Sequence, residues 1–293
     1  MTDGLDQALL RALAFEHTVI EAGLRGREHV LPGVPAAMAL RRGPDGPDLF
    51  SMRCGSPAAT LSLGLDPRDL FRQLLGRGSA AAEGRDAGSF PTRPDLGLLG
   101  PIALPGKGTE VMAGAAMAFR MQSQDRVALY LDDVAGTASG DWHEGFNFAA
   151  VRRAPLVCVI DATGPLHPHT ALDRMVRKSA AYGVKSWTTT LASVEDMVQT
   201  VAEALAHARS GEGTGLVEVL PAATVSGPDA PSFRGQVIDR LDNGKEAWTR
   251  LVAEMAAALA DVQADPEPDA QAAYGADDTP AWYRTSTLRM ASE

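Results

Sequence analysis

Two stretches place carboxylates and hydroxyls where oxygen chemistry is possible. Asp132-Asp133 follows the apolar run Val127–Leu131, and Asp161-Ala162-Thr163-Gly164 follows Leu156–Ile160. Such oxygen ligands suit a hard cation such as magnesium. The same residues also serve as ordinary caps of loops. Gly136-Thr137-Ala138-Ser139-Gly140 leads into a helix whose first N–H groups can hold a phosphate. Asp141 and Glu144 already occupy that positive end, so a turn with an internal acidic cap fits as well. Gly106-Lys107-Gly108-Thr109 carries part of a P-loop, but Pro101 stands where its first glycine belongs and Gly108 where its hydroxyl does. Ser139 lacks the flanking glycines of a nucleophile elbow, having Thr137 and Asp141 instead. The six histidines form no cluster: His167 and His169 are a loop pair, and His17 and His143 sit in separate helices. Cys54, beside Arg53, has no assigned base and reads as a passive thiol.

The elements that must position these groups follow from periodicity. Leu9, Leu10, Leu13, Ala14, His17 and Ile20 form one helical stripe, ended by Gly23 and Gly26. Leu49–Met52 is a short strand, and Asp66-Pro67 opens a helix with Leu70, Phe71, Leu74 and Leu75 inward. Residues 76–104, rich in glycine and proline, are an ordered loop, and so long a loop has a job. Val111–Met121 is a helix of small residues. Strand Val127–Leu131, helix Asp141–Arg153 and strand Leu156–Ile160 follow, then helix Ala171–Tyr182, a short strand at Lys185–Trp187, helix Val194–Arg209 and strand Gly215–Leu220. The strands are apolar runs without alternation, as in a parallel sheet covered on both faces. The fold class is therefore α/β, a mostly parallel sheet with helices on both faces and Val127–Leu131 beside Leu156–Ile160. Residues 221–236 are rich in proline and glycine, and Lys245–Val262 is an amphipathic helix. The domain reading is 1–240 for the α/β unit, 241–262 for the C-terminal helix and 263–293 for an acidic tail. Asp261, Asp265 and Glu267 meet no basic residue before Arg284, so the tail is either loose or docks on a partner through Trp282 and Tyr283.

Composition narrows the function classes. The 293 residues carry a formal charge of −10, which disfavours nucleic acid or an anionic membrane as partner. No apolar run is long enough to span a bilayer. Met1–Asp6 lacks a basic n-region, which predicts no signal peptide. Two cysteines suit a reducing cytoplasm and exclude a disulfide framework.

Gly140-Asp141-Trp142-His143-Glu144-Gly145-Phe146-Asn147-Phe148-Ala149-Ala150, then Pro155 and its strand, resembles the alpha subunit of thiamine-diphosphate-dependent 2-oxo acid dehydrogenases. The resemblance extends from the N-terminal helix to about Leu220. It includes Met52-Arg53, Gly64-Leu65-Asp66-Pro67, Gly88-Ser89, Gly106 and Gly211–Leu220. It implies the thiamine-diphosphate-binding fold, and thiamine diphosphate with Mg2+ as cofactors. It also implies a heterotetramer with a beta subunit that activates the thiamine ring. The substrate would be a small 2-oxo acid or acetoin, and a lipoyl-bearing acyltransferase could accept the product. On the matching positions the cofactor would touch Arg53, Met52, Gly106, Asp133, Val134, Gly136 and Thr163.

Departures from the family pattern fall in the same place. The family's Gly-Asp-Gly aligns with Asp133-Val134-Ala135, which puts Val134 on the metal-binding aspartate. Its Asn-Asn aligns with Ala162-Thr163, and its Tyr-Arg with Met52-Arg53. Family histidines align with Gly55 and Pro91, and its Gly-His-Ser loop has no counterpart in Pro221–Phe233. If a metal is held, Asp133 replaces the lost ligand with Thr163 and a carbonyl near Gly164–Pro165. Strand alternation opposes this unless a bulge turns Asp133 to the other face. Two family readings follow, an active subunit with a rearranged metal site and an alpha-like subunit with a structural or regulatory role. A P-loop phosphate binder is the disfavoured third.

Overall fold

A computed structural model describes residues 2–24, 30–85, 89–165, 168, 170–222 and 233–269. The first helix, α1 (Thr2–Glu21), buries Leu9, Leu10 and Leu13, the stripe read from periodicity. A short helix, α2 (Gly33–Met38), precedes a small antiparallel pair, β1 (Arg42–Gly43) and β2 (Gly46–Pro47). Strand β3 (Leu49–Met52) follows, and α3 (Pro67–Leu74) starts at Asp66, whose carboxylate accepts from the Arg68 N–H at 2.8 Å. The central run is α4 (Lys107–Met121), β4 (Ala128–Asp133), α5 (Gly140–Val151) and β5 (Leu156–Asp161). Then come α6 (Val176–Tyr182), β6 (Lys185–Thr190), α7 (Val194–His207), β7 (Gly215–Leu220), α8 (Phe233–Arg240) and α9 (Gly244–Gln263).

The five long strands form one parallel sheet in the order β3-β4-β5-β7-β6. Val127–Leu131 therefore lies beside Leu156–Ile160, as the apolar runs require. The absence of alternation has its cause in two cores. Leu129, Leu131, Val157 and Val159 face one cluster with α1, α7 and α9. Ala128, Tyr130, Leu156, Cys158 and Ile160 face the other, with α4 and α5. Every residue of Ala128–Leu131 is fully buried. Among the described residues, no helix is long and apolar enough to cross a membrane.

Several boundaries move. Strand β4 runs on through Asp133, since Asp132 pairs with Ile160 and Asp133 with Asp161 in regular register. The sixth helix begins at Val176 rather than Ala171. Helix α8 begins inside the stretch 221–236, read as rich in proline and glycine, and buries only Val237. Small residues on α4 serve the chain's own packing. A Cβ on Gly145 of α5 would come within 2.6 Å of the Glu110 amide nitrogen, so the two helices cross at near backbone contact. Ala113 and Ala116 are buried in the same layer, while Gly114 opens outward.

The acidic end of α9 finds its cations far back in sequence. Arg68 holds Asp261 at 2.8 Å, Arg72 holds Asp265 at 2.8 Å, and Arg77 pairs with Glu267. The Gly78 N–H donates to the Pro266 carbonyl at 3.2 Å. Residues 261–267 thus dock on the chain itself. Residues 270–293, with Trp282 and Tyr283, lie outside the described residues, as do Gly88, His167 and His169.

Candidate functional site

Ligands of a parallel α/β sheet bind outside the carboxyl ends of its strands. Here those ends bring together Arg53 after β3, Asp132 and Asp133 at the end of β4, and Asp161 at the end of β5. The first three are joined directly. Arg53 Nε donates to Asp132 Oδ1 at 2.6 Å, and a terminal guanidinium nitrogen donates to Asp133 Oδ1. Backbone pairing sets this up: the Arg53 N–H donates to the Leu131 carbonyl at 2.9 Å, which carries the β3–β4 ladder one residue beyond the strand. The Asp132 side chain is wholly buried and Asp133 is about one-third exposed. Asp132 Oδ1 also accepts from the Asp133 N–H at 2.8 Å, but Oδ2 is buried with no partner. Gly136 lies against that carboxylate, since a Cβ there would stand 2.1 Å from Asp132 Oδ1.

Charges respond to this packing. Burial pushes the Asp132 carboxyl up, against the pull of the Arg53 guanidinium. Burial also pushes the Cys54 thiol far up, and the nearby carboxylates Asp161, Asp133 and Asp132 add to it. Cys54 is therefore a passive thiol, as its lack of a base suggested.

The other expected residues disperse. Met52 is buried in the core of the α1 layer. Val134 is 4% exposed and packs with the cluster that holds Tyr130, Trp142 and Met175. Asp133 keeps regular register with Asp161, so no bulge intervenes in the ladder, and its carboxylate is engaged by Arg53 and by the Gly136 N–H. Thr163 turns to its own segment: its N–H and Oγ1 donate to Asp161 Oδ1 at 3.0 and 2.6 Å. Gly106 adopts φ 76° and packs on the start of α5, where a Cβ would meet Ser139 Oγ at 1.8 Å.

The glycine-rich turn before α5 spends its own N–H groups. Gly136 N donates to Asp133 Oδ1 at 2.9 Å, Ala138 N to the Ala135 carbonyl at 3.2 Å, and Ser139 N to the Gly136 carbonyl at 3.1 Å. Trp142 N donates to Ser139 Oγ at 3.1 Å. The internally capped turn is thus what forms, with Ser139 as the cap in place of an acid.

Two polar groups escaped the sequence reading. Lys178 on α6 is buried, donates from Nζ to the Thr137 carbonyl at 2.5 Å, and stands 5.3 Å over the Trp142 ring. Burial pulls its ammonium down. Glu218 sits in the apolar strand β7, fully buried, and is held by Arg174 Nε at 2.8 Å and the Met175 N–H. Only the acidic interruption of Gly215–Leu220 hinted at Glu218. Nearby, His143 Nδ1 meets the Tyr182 hydroxyl, beside a cleft of about 310 Å3 lined by Thr170 and Arg177. A cavity of about 680 Å3 lies elsewhere, between α1 and α9, lined by Arg11, Ser62 and Glu246.

Comparison with known proteins gives this sheet a class. The family model of the dehydrogenase E1 component matches residues 47–221, which spans the whole sheet from β3 to β7. The chain belongs to that family. It is 26% identical over 200 residues to the alpha subunit of acetoin:2,6-dichlorophenolindophenol oxidoreductase of Bacillus subtilis, covering 67% of this chain and 58% of that protein. It is 30% identical over 131 residues to the 2-oxoisovalerate dehydrogenase subunit alpha of the same organism, covering 42% of this chain and 40% of that one. The chain spans about half the length of the curated relatives it matches. Among solved structures, transketolase from Campylobacter jejuni superposes with a TM-score of 0.55 at 13% identity, over 89% of this chain and 46% of that one. The fold is the thiamine-diphosphate-binding α/β type.

Set against the cofactor that fold accommodates, the strand ends do not suit a magnesium diphosphate. Val134, which the ungapped alignment sets on the family's metal-binding aspartate, is buried in the core. Among the described residues, no group of three or more His, Cys, Asp or Glu could hold a metal ion. Arg53 is already met by two carboxylates.

Proposed function

We propose that the chain is the alpha-type component of a 2-oxo acid dehydrogenase, acting with a beta-type chain. The observation that carries this is the family match laid along the whole sheet, with the Gly140–Ala150 helix and Arg53 at its carboxyl end. The strand ends support a shared site. Among the described residues there, burial holds the Cys54 thiol protonated, and Asp132, Asp133 and Asp161 each hold a hydrogen bond within the chain. The two helices beside them expose Val111, Met121, Phe148 and Val151, apolar surface suited to a partner. Thiamine diphosphate is the cofactor this reading entails for the assembly, and Mg2+ belongs to the family pattern rather than to the residues found here. The substrate class is a small 2-oxo acid or acetoin, a lipoyl-bearing acyltransferase would take the acyl group, and the compartment is the cytoplasm.

Co-expression with a beta-type chain tests the proposal. A heterotetramer on gel filtration is the expected result, and reduction of 2,6-dichlorophenolindophenol with pyruvate, 2-oxoisovalerate or acetoin selects the active subunit. A chain that stays apart from the beta-type chain refutes it. A stable complex without turnover selects the second reading, an alpha-like subunit of structural or regulatory role, which the pairing of Arg53 inside its own chain favours.

A further inference from the structure

We infer that Asp132 and Asp133 are a built-in replacement for a phosphate on Arg53, a carboxylate clasp that closes this chain's diphosphate half of the site. The inference rests on the alpha-type reading only for where a diphosphate would lie.

Geometry carries the rest. A guanidinium at the end of a parallel sheet is a natural phosphate ligand, because its fork matches two oxygens. Here the fork is filled from within. Its Nε holds Asp132 at 2.6 Å and its terminal nitrogen holds Asp133. An incoming diphosphate must displace both carboxylates. Asp133 is partly exposed and can swing away, but Asp132 is wholly buried. Without Arg53 it keeps only the Asp133 N–H. The released site would hold Asp132 and Asp133 against one arginine, so the phosphate would enter a field of its own sign. Among the described residues, Arg53 is the only cation whose charge acts on Asp132. Val134, where the metal-binding aspartate would stand, packs in the core, and the N–H groups of Gly136, Ala138 and Ser139 have acceptors in the chain.

The clasp also does the mechanical work a bound diphosphate would do. It ties the end of β3 to the end of β4 just where their backbone ladder stops. The chain then holds its strand ends together with nothing bound.

Calorimetry on the full chain tests this with inorganic pyrophosphate and with thiamine diphosphate, each with and without Mg2+. The unmodified chain should show no saturable binding below about 1 mM. Asp132→Asn with Asp133→Asn frees the guanidinium and removes two like charges. Pyrophosphate affinity should then rise at least ~10-fold, and adding Arg53→Met should abolish the gain. Asp133→Asn alone, at the more exposed carboxylate, gives a smaller gain in the same direction and serves if the double variant does not fold. Saturable, magnesium-dependent binding by the unmodified chain overturns the inference. So does a folded variant, double or single, that gains nothing. Gel filtration with the beta-type chain reads the alpha-type assignment separately, because association there does not depend on whether pyrophosphate binds.

Discussion

Replacing Arg53 by methionine isolates the energetics of the clasp. Asp132 is fully buried, and Arg53 is the cation paired with it. Removing one partner of a buried ion pair costs about 3–5 kcal/mol. A second route gives the same scale. A stranded carboxylate can escape by taking a proton, and protonating an aspartate of reference pKa ~3.9 at pH 7 costs about 4 kcal/mol. That figure is a ceiling which falls with pH, to about 2 kcal/mol at pH 5.5. Asp133, one-third exposed, adds less than about 1 kcal/mol. The sign follows from linkage. Burial already holds the Asp132 carboxyl above its ordinary range, and loss of the guanidinium raises it further. The variant is therefore least destabilised below the unfolded pKa and loses stability as pH rises through the folded one. Urea unfolding of Arg53→Met should show a loss of about 4 kcal/mol at pH 7 that halves by pH 5.5, and adding Asp132→Asn should restore most of it. A loss under about 1 kcal/mol at pH 7, or one equal at both pH values, would refute the reasoning.

Three further expectations concern the same half of the sheet. Val134→Asp, which places the aspartate that the ungapped alignment implies, should destabilise by about 3 kcal/mol or more because it buries a charge among Tyr130, Trp142 and Met175; magnesium should not raise the melting temperature of the variant. Gly145→Ala gains about 1 kcal/mol of helix propensity but forces α4 away from α5, for a net loss of about 1–2 kcal/mol in chemical denaturation. His143 is held below its ordinary pKa by burial and then by Lys178, so its neutral ring favours the folded chain above about pH 6.5 and this contribution is lost as pH falls through the folded value. A pH series of unfolding midpoints should slope downward below that point, and His143→Gln should flatten part of the slope while His207, also lowered by burial, keeps its own share.

The sheet was legible because its strands are unbroken apolar runs, and the cap at Asp66 because Asp-Pro stands directly before an apolar helical stripe. What sequence reasoning missed is contact over distance. Arg53 was singled out, but its pairing with residues 79 and 80 positions later depends on the register that puts Met52 against Leu131. The alignment raised Asp133 as a metal ligand, and only the side-chain contact with Arg53 shows its carboxylate turned to the guanidinium. The acidic run after α9 looked unpartnered because its arginines lie about 190 residues earlier, in and after α3. Helix α8 carries too little apolar periodicity, with Val237 alone buried, to stand out from its glycine- and proline-rich surroundings. Glu218 was hidden by the opposite effect, a charge in a run whose apolar neighbours set the reading.

The long loop before α4 has one further effect. Its Gly97 carbonyl accepts from the Phe50 N–H at 2.7 Å, and its Leu99 N–H donates to the Phe50 carbonyl at 3.0 Å. The outer side of β3 is thus already hydrogen-bonded by the chain's own loop. Unsatisfied strand edges are where sheets of different molecules join. With β3 closed, β6 is the edge left to the five-stranded sheet among the described residues, a polar run that opens with Lys185 and ends in Thr188–Thr190. Two copies joined through β6 would present a loop-covered edge at each outer side. Strand addition between copies would therefore stop at a pair and could not propagate into a fibre.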